Sequence, residues 1–231
     1  MCPCLNHNNR AQLRRRQTFT LAAMRPIFRK YKSSDYAACE ALVSEAWAFD
    51  KNFPPQELAD IAKCLYTKGS VVSSNYQKVV EIDGHVVGFI FGLNEMKPQP
   101  KGRLLFGLSI TWRLLRTKHT DKDRKKALLV ALSKHQANRA KILGKDKSEI
   151  VLFVVAKEHQ GLGYGQTLLS EFLAQCKTSG VHSVIVETNT LGASGFYEKI
   201  GFQHLANFDS PLHAYATRDG QACLYEYKHS N

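Results

Sequence analysis

The segment Gln160-Gly161-Leu162-Gly163-Tyr164-Gly165 lies between an apolar run, Ile150 to Val155, and an amphipathic run, Gln166 to Ser179. A strand that opens through small residues into a helix leaves main-chain N–H groups unpaired at the positive end of the helix dipole, and that combination seats a phosphate. Two nucleotide-binding patterns fail on spacing. A Walker loop, G-x-x-x-x-G-K followed by Ser or Thr, occurs nowhere in the 231 residues, which excludes an ordinary P-loop nucleotidase. The dinucleotide fingerprint G-x-G-x-x-G fits Gly161 and Gly163, and Glu187 stands where a ribose-binding acid would be. Position 166, however, is Gln, and Ala156 to His159 separate the strand from the turn, so the tight turn of that fold is not expected.

Periodicity orders the rest of the chain. Pro26 to Tyr31 reads as a strand, and Ser34 or Asp35 caps a helix with Cys39, Leu42, Val43 and Ala46 on one face. Pro54-Pro55 opens a second helix with Leu58, Ile61, Ala62 and Leu65 in its stripe. Tyr76 to Ile82 and His85 to Leu93 are strands joined at Asp83-Gly84, a pair suited to a two-residue hairpin turn with positive φ. Beyond the glycine-rich junction come a helix from about Gly163 to Ser179, a strand from Val181 to Glu187, a short helix near Ala193 to Ile200, and strands at Phe202 to Phe208 and Ala222 to Lys228.

Three elements of this order, Ser148 to Val155, Gln160-x-x-Gly163-x-Gly165, and Phe196-Tyr197-Glu198-Lys199-Ile200-Gly201-Phe202, resemble the central strand, the acetyl-CoA signature and the closing F-Y-x-K-x-G-F motif of the GNAT superfamily of N-acetyltransferases. The resemblance covers about Arg25 to Lys228. It implies an α/β (α+β) fold with a mixed, mostly antiparallel, splayed central sheet flanked by helices, here with a helical insertion between strands 3 and 4. It implies acetyl-CoA as co-substrate, no metal, and transfer of acetyl to a primary amine of a small molecule or protein by direct attack in a ternary complex.

The same resemblance assigns site residues. Main-chain N–H groups of Leu162, Gly163, Tyr164 and Gly165, with Gln160 and Gly161 beside them, would hold the pyrophosphate. Phe153, Val154 and Val155 would pair with the pantetheine arm, the N–H of Val154 or a neighbour facing the thioester carbonyl. Tyr197 would protonate the leaving thiolate, and Glu149 would take the amine proton through water, with Glu187 as the second candidate. The family commonly carries an Asn seven residues before its tyrosine; here that position is Thr190 and Asn189 lies eight before, so either the loop holds an extra residue and Asn189 is the cofactor contact, or Thr190 substitutes with its hydroxyl. For each of these residues a bland role stands beside the functional one: a turn for the glycines, core packing for Tyr197, a solvated strand end for Glu149.

Charge is unevenly placed. Residues 1–23 carry four basic and no acidic side chains, residues 95–147 carry fifteen against four, and the remainder thirteen against sixteen. Residues 1–23 read as a disordered basic tail and 24–231 as the catalytic domain. The insert at 95–147 is patterned as helices, with Leu104, Leu105, Leu108, Trp112 and Leu115 in one stripe and Leu128, Leu129 and Leu132 in another, expected to form a substrate wall, or else simply to cover the sheet or make a homodimer surface. No nucleic-acid motif accompanies its charge, and peripheral membrane contact is the lesser reading. Six scattered cysteines fit reduced thiols in a cytoplasm, and Cys2, Cys4 and His7 lack a fourth metal ligand nearby. The rival from another class is a CoA-binding module without turnover, whose basic insert binds a membrane surface or RNA.

Overall fold

A computed structural model describes residues 25–118, 122–143, 147–213 and 221–229. The basic tail and the Cys2, Cys4, His7 group lie outside them. Seven strands form one sheet in the order β1-β2-β3-β4-β5-β7-β6. They are β1 (Ile27–Lys30), β2 (Tyr76–Ile82), β3 (His85–Leu93), β4 (Ser148–Val155), β5 (Ser183–Asn189), β6 (Gln203–Phe208) and β7 (Ala222–Lys228). Besides a one-turn helix at Phe49–Asn52, the helices are α1 (Tyr36–Trp47), α2 (Gln56–Ser73), α3 (Arg103–Arg116), α4 (Lys122–Ile142), α5 (Tyr164–Thr178) and α6 (Ser194–Ile200). All neighbouring strands run antiparallel except β4 and β5. The mixed, mostly antiparallel sheet expected from the sequence is therefore present.

Local chemistry sets these elements. Asp83 and Gly84 both adopt positive φ, 49° and 79°, the backbone that a two-residue turn needs to follow the twist of β2 and β3. Strand alternation then builds two cores. Val79, Phe89, Phe91, Leu152 and Val154 meet α1 and α2 on one face, while Val80, Ile90, Ile150, Val184 and Val186 meet α5 on the other. Ile150 and Leu152 share parity yet point to opposite faces. The register explains it: Phe91 opposes Leu152 and Gly92 opposes Ile150, so Val151 is an extra residue, a bulge that re-aims the strand.

The insert forms two helices, and the stripe read from sequence on the first of them faces outward. Ile110 and Leu114 are the buried residues of α3, whereas Leu104, Leu105, Leu108, Trp112 and Leu115 are 59–85% exposed. In α4, Leu128 is buried, Leu132 partly so, and Leu129 exposed. A second apolar face, made of Phe106, Ile110 and Leu114, fills the seam against α2. Entry and exit of the insert are tied together, since the Glu95 N–H donates to Ser148 Oγ at 3.1 Å.

Gly92 lies under the fully buried ring of Phe172, and a Cβ built there would meet Phe172 Cε2 at 2.5 Å. Gly92→Ala must push that ring or the strand aside, so we expect a loss of about 1–3 kcal/mol, read as a lower urea midpoint at unchanged m-value.

Candidate active site

The cleft comes from the way β4 and β5 part. They pair only at Ser148–Val184, Glu149–Ile185 and Ile150–Val186, while β4 continues to Val155 along β3 and β5 continues to Asn189 along β7. The N–H of Ala156 donates to Val87 O at 2.8 Å, which fixes the phase of the β3 ladder. Alternation then turns the N–H groups of Leu152 and Val154 toward β3, and those of Phe153 and Val155 toward the side that β5 has left. Of the three strand residues expected to contact cofactor through backbone, Phe153 and Val155 are thus the ones with groups aimed into the opening. Val154 is spent on the sheet.

At the far end of β4 the glycine-rich segment curls into α5. Gly161 and Gly163 adopt positive φ, 77° and 85°, and a Cβ at either would meet nothing within 4 Å. Gly163 is the N-cap, no side chain caps the helix, and the first turn holds no acidic residue. The first intrahelical bond is the Thr167 N–H to Gly163 O, at 3.0 Å. From Gly161 through Gln166 the N–H groups have no acceptor among the described residues. Gln160 does a different job from its neighbours, donating from Nε2 to Val155 O at 3.0 Å and so anchoring the loop to the strand end. Leu162 is exposed, and the Tyr164 ring packs edge-on to Phe28.

One chain of contacts links this loop to α6. A Cβ at Gly165 would come within 3.1 Å of the Phe153 ring and 3.6 Å of the Phe196 ring. Phe153 and Phe196 are 5.7 Å apart between centroids, and Phe196 packs edge-on against Tyr197 at 5.4 Å. Tyr197 is 4% exposed, burial raises its pKa, and its hydroxyl makes no hydrogen bond among the described residues. Asn189 closes β5 and accepts the Leu191 N–H on Oδ1 at 2.8 Å, while Thr190 Oγ1 accepts the Gln221 N–H, so both side chains hold the turn.

Glu149 and Glu187 share a cation on the opposite sheet face. Arg139 of α4 bonds Glu149 through Nη2, and its Nε donates to Glu187 Oε2 at 3.0 Å. Glu187 also accepts from His213 Nε2 at 3.0 Å, with His135 Nε2 at 3.7 Å. Ser210 Oγ lies 2.9 Å from His135 Nδ1 and accepts the His213 N–H. Burial pushes the Glu149 carboxyl up against the opposing pull of Arg139. Burial acts the same way on Glu187, but the His213 hydrogen bond and the charges of His135 and Arg139 outweigh it and hold the carboxyl low. Burial lowers His135 more than Glu187 raises it.

Arg139, His135 and His213 were not picked out from the sequence. A signal existed: Leu128, Leu132, His135, Arg139 and Ile142 follow helical spacing, so two polar residues interrupt an apolar stripe. Nothing in the sequence spacing told which strand they meet. A surface hollow of about 500 Å³ bounded by Tyr36, Glu40, Asp60, Lys63, Lys68 and Arg113 contains none of these residues. Among the described residues no group of three His, Cys, Asp or Glu side chains is placed to hold a metal ion.

The sheet splays beside a run of helix-start N–H donors, and the family match over most of the chain makes this an acyltransferase. The chain matches the Acetyltransferase (GNAT) family over residues 36–202 and belongs to it; acetyl-CoA is the co-substrate of that family. Among solved structures, SsHAT is 16% identical with a TM-score of 0.61, covering 89% of this chain and 99% of its own. PH1933 of Pyrococcus horikoshii OT3 is 16% identical with a TM-score of 0.56, covering 90% and 100%. At such identity the likeness is one of fold. No curated protein matches the chain by sequence.

The depressed His135 carries a stability consequence. Below its ordinary value near 6.5 the unfolded imidazole takes a proton that the folded one refuses, so stability rises with pH through that window and falls on acidification. We expect the Tm to drop between pH 7 and 5, and His135→Gln to flatten that slope. Glu187, held low, adds a second loss only below the ordinary carboxylate value of 4.5.

Proposed function

We propose that this chain transfers acetyl from acetyl-CoA to a primary amine of a small molecule or a protein, by direct attack of the amine in a ternary complex. The observation that carries the reading is the contact path Gly165, Phe153, Phe196, Tyr197, which joins the donor run, the open edge of β4 and a buried phenol. The free N–H groups of Gly161 to Gln166 would bind the diphosphate, with open space where a Cβ at Gly161 or Gly163 would stand. Phe153 and Val155 would pair with the pantetheine amides as a neighbouring strand does, and one of their N–H groups would meet the thioester oxygen as charge gathers on it.

Tyr197 keeps its proton because burial disfavours the phenolate, which leaves it able to donate to the departing sulfur. Glu149 sits on the other face, at the residue pair next to the point where the strands part. An alkylammonium of pKa about 10 must lose a proton before it attacks, and Glu149 would accept it through water without leaving Arg139. Two carboxylates against one guanidinium leave a negative excess that suits a cationic acceptor. The four described cysteines are all free thiols, in keeping with a cytoplasmic enzyme. A module without turnover gains no support from the family match.

Thiol release from acetyl-CoA across a panel of amines tests this. We expect release with at least one amine, and a kcat about 100-fold lower in Tyr197→Phe at unchanged acetyl-CoA KM. Binding without release for every amine would sink the enzyme reading. In a pH series kcat/KM should climb as Glu149 ionises, above the ordinary carboxylate range, and Glu149→Gln should erase that limb. Gly163→Glu would put a carboxylate where the diphosphate belongs, so calorimetry should find no acetyl-CoA binding; unchanged affinity would refute the phosphate seat.

A further inference from the structure

Helix α3 has two apolar faces, and the fold uses one. Ile110, Leu114 and the half-buried Phe106 turn inward to the core under α2, and the Phe106 ring lies 3.1 Å from where a Cβ on Gly69 would stand. At about 100° per residue, Leu104, Leu108 and Leu115 fall on the opposite side, flanked by Leu105 and Trp112. All five are solvent-exposed, and an exposed apolar stripe of this length on one helix is unusual for a surface that meets only water. The charge carried by α3 and its flanks has one sign, with acids from other helices at its inner edge, where Arg113 bounds the hollow shared with Glu40 and Asp60 and the Lys118 N–H donates to Glu57. From Met96 to Lys118 the chain carries Lys97, Lys101, Arg103, Arg113, Arg116 and Lys118 and no Asp or Glu. Arg116 stacks over the Trp112 ring at 4.2 Å, which places a guanidinium at the rim of the apolar face.

We propose that the outward face of α3 lies on an anionic lipid surface, with Leu104, Leu105, Leu108, Trp112 and Leu115 entering the headgroup boundary and the flanking Arg and Lys side chains meeting lipid phosphates. Leucines and a tryptophan opposite a packed seam, rimmed by cations, form the pattern of an interfacial helix. A second copy docking through the same face would bring the two basic rims together, which weighs against a dimer here. No helix among the described residues is long and apolar enough to cross a membrane, so the contact is one of lying on the surface.

The test uses the full chain carrying Trp47→Phe, which leaves Trp112 as the one indole of the two. Co-sedimentation and Trp emission are measured with phosphatidylcholine vesicles and with mixed phosphatidylcholine and phosphatidylglycerol vesicles, at low and high salt. We expect binding and a blue shift with the mixed vesicles, little with the neutral ones, and release by salt. Leu105→Glu/Trp112→Glu on the wild-type background should lower sedimentation with mixed vesicles roughly tenfold or more, at unchanged Tm and unchanged acetyl-CoA affinity by calorimetry. Arg113→Gln/Arg116→Gln should weaken binding to the mixed vesicles alone. No co-sedimentation, or equal binding by the Leu105/Trp112 double variant, overturns the proposal. So does a dimer or an RNA complex that this variant dissolves while wild type ignores vesicles. Acetyl-CoA affinity reports separately on the catalytic reading.

Discussion

Main-chain polar groups away from water must find partners, and in a sheet the partner is the next strand. Strands β4 and β5 violate this for half their length: three residue pairs join them, and then β5 leaves with β7 while β4 stays with β3. The N–H groups of Phe153 and Val155 are left facing a gap, the Val155 carbonyl being taken by Gln160, and the bulge at Val151 sits at the point of departure. On the proposed reading, what fills the gap would look like a strand along its edge and end in an anion beside Gly163. That requirement is geometric and holds whichever side chains line the strand.

The vertex where the strands part is also where charge is concentrated. Arg139 reaches from the insert to bind a carboxylate from each strand, so the guanidinium spans the divergence that the backbone cannot. Half-buried charges of this kind stabilise only when each has its partner: Glu149 is ion-paired to Arg139, with the charge of Arg103 acting from farther off, whereas Glu187 adds two histidines. The unequal support separates the two carboxyls. Glu149 is held high and Glu187 low, an arrangement in which neighbouring acids take different roles.

Much of this was legible in the sequence, for identifiable reasons. Elements read correctly where local rules decide: the Asp83-Gly84 hairpin needs positive φ, and the Gln160 to Gly165 junction combines small residues with a strand and a helix. The sequence stripe of α3 shows which apolar side chains share a face, but the seam with α2, filled by Phe106, Ile110 and Leu114, depends on which residues another helix leaves room for. The split in roles between Val154 and its neighbours required the ladder phase, which a six-residue apolar run does not encode. Arg139, His135 and His213 meet Glu187 across 48, 52 and 26 positions of chain, and no local pattern spans such distances.

The tie between Glu95 and Ser148 means that the two helices of the insert leave the sheet and rejoin it at one place. Polypeptide held in that manner is exchangeable as a cassette, since what replaces it has only to bridge a short gap. One obligation travels with the cassette, however. Any substitute that brings no cation to the seat of Arg139 leaves two carboxylates face to face, and one of them must then take up a proton to remain where it is.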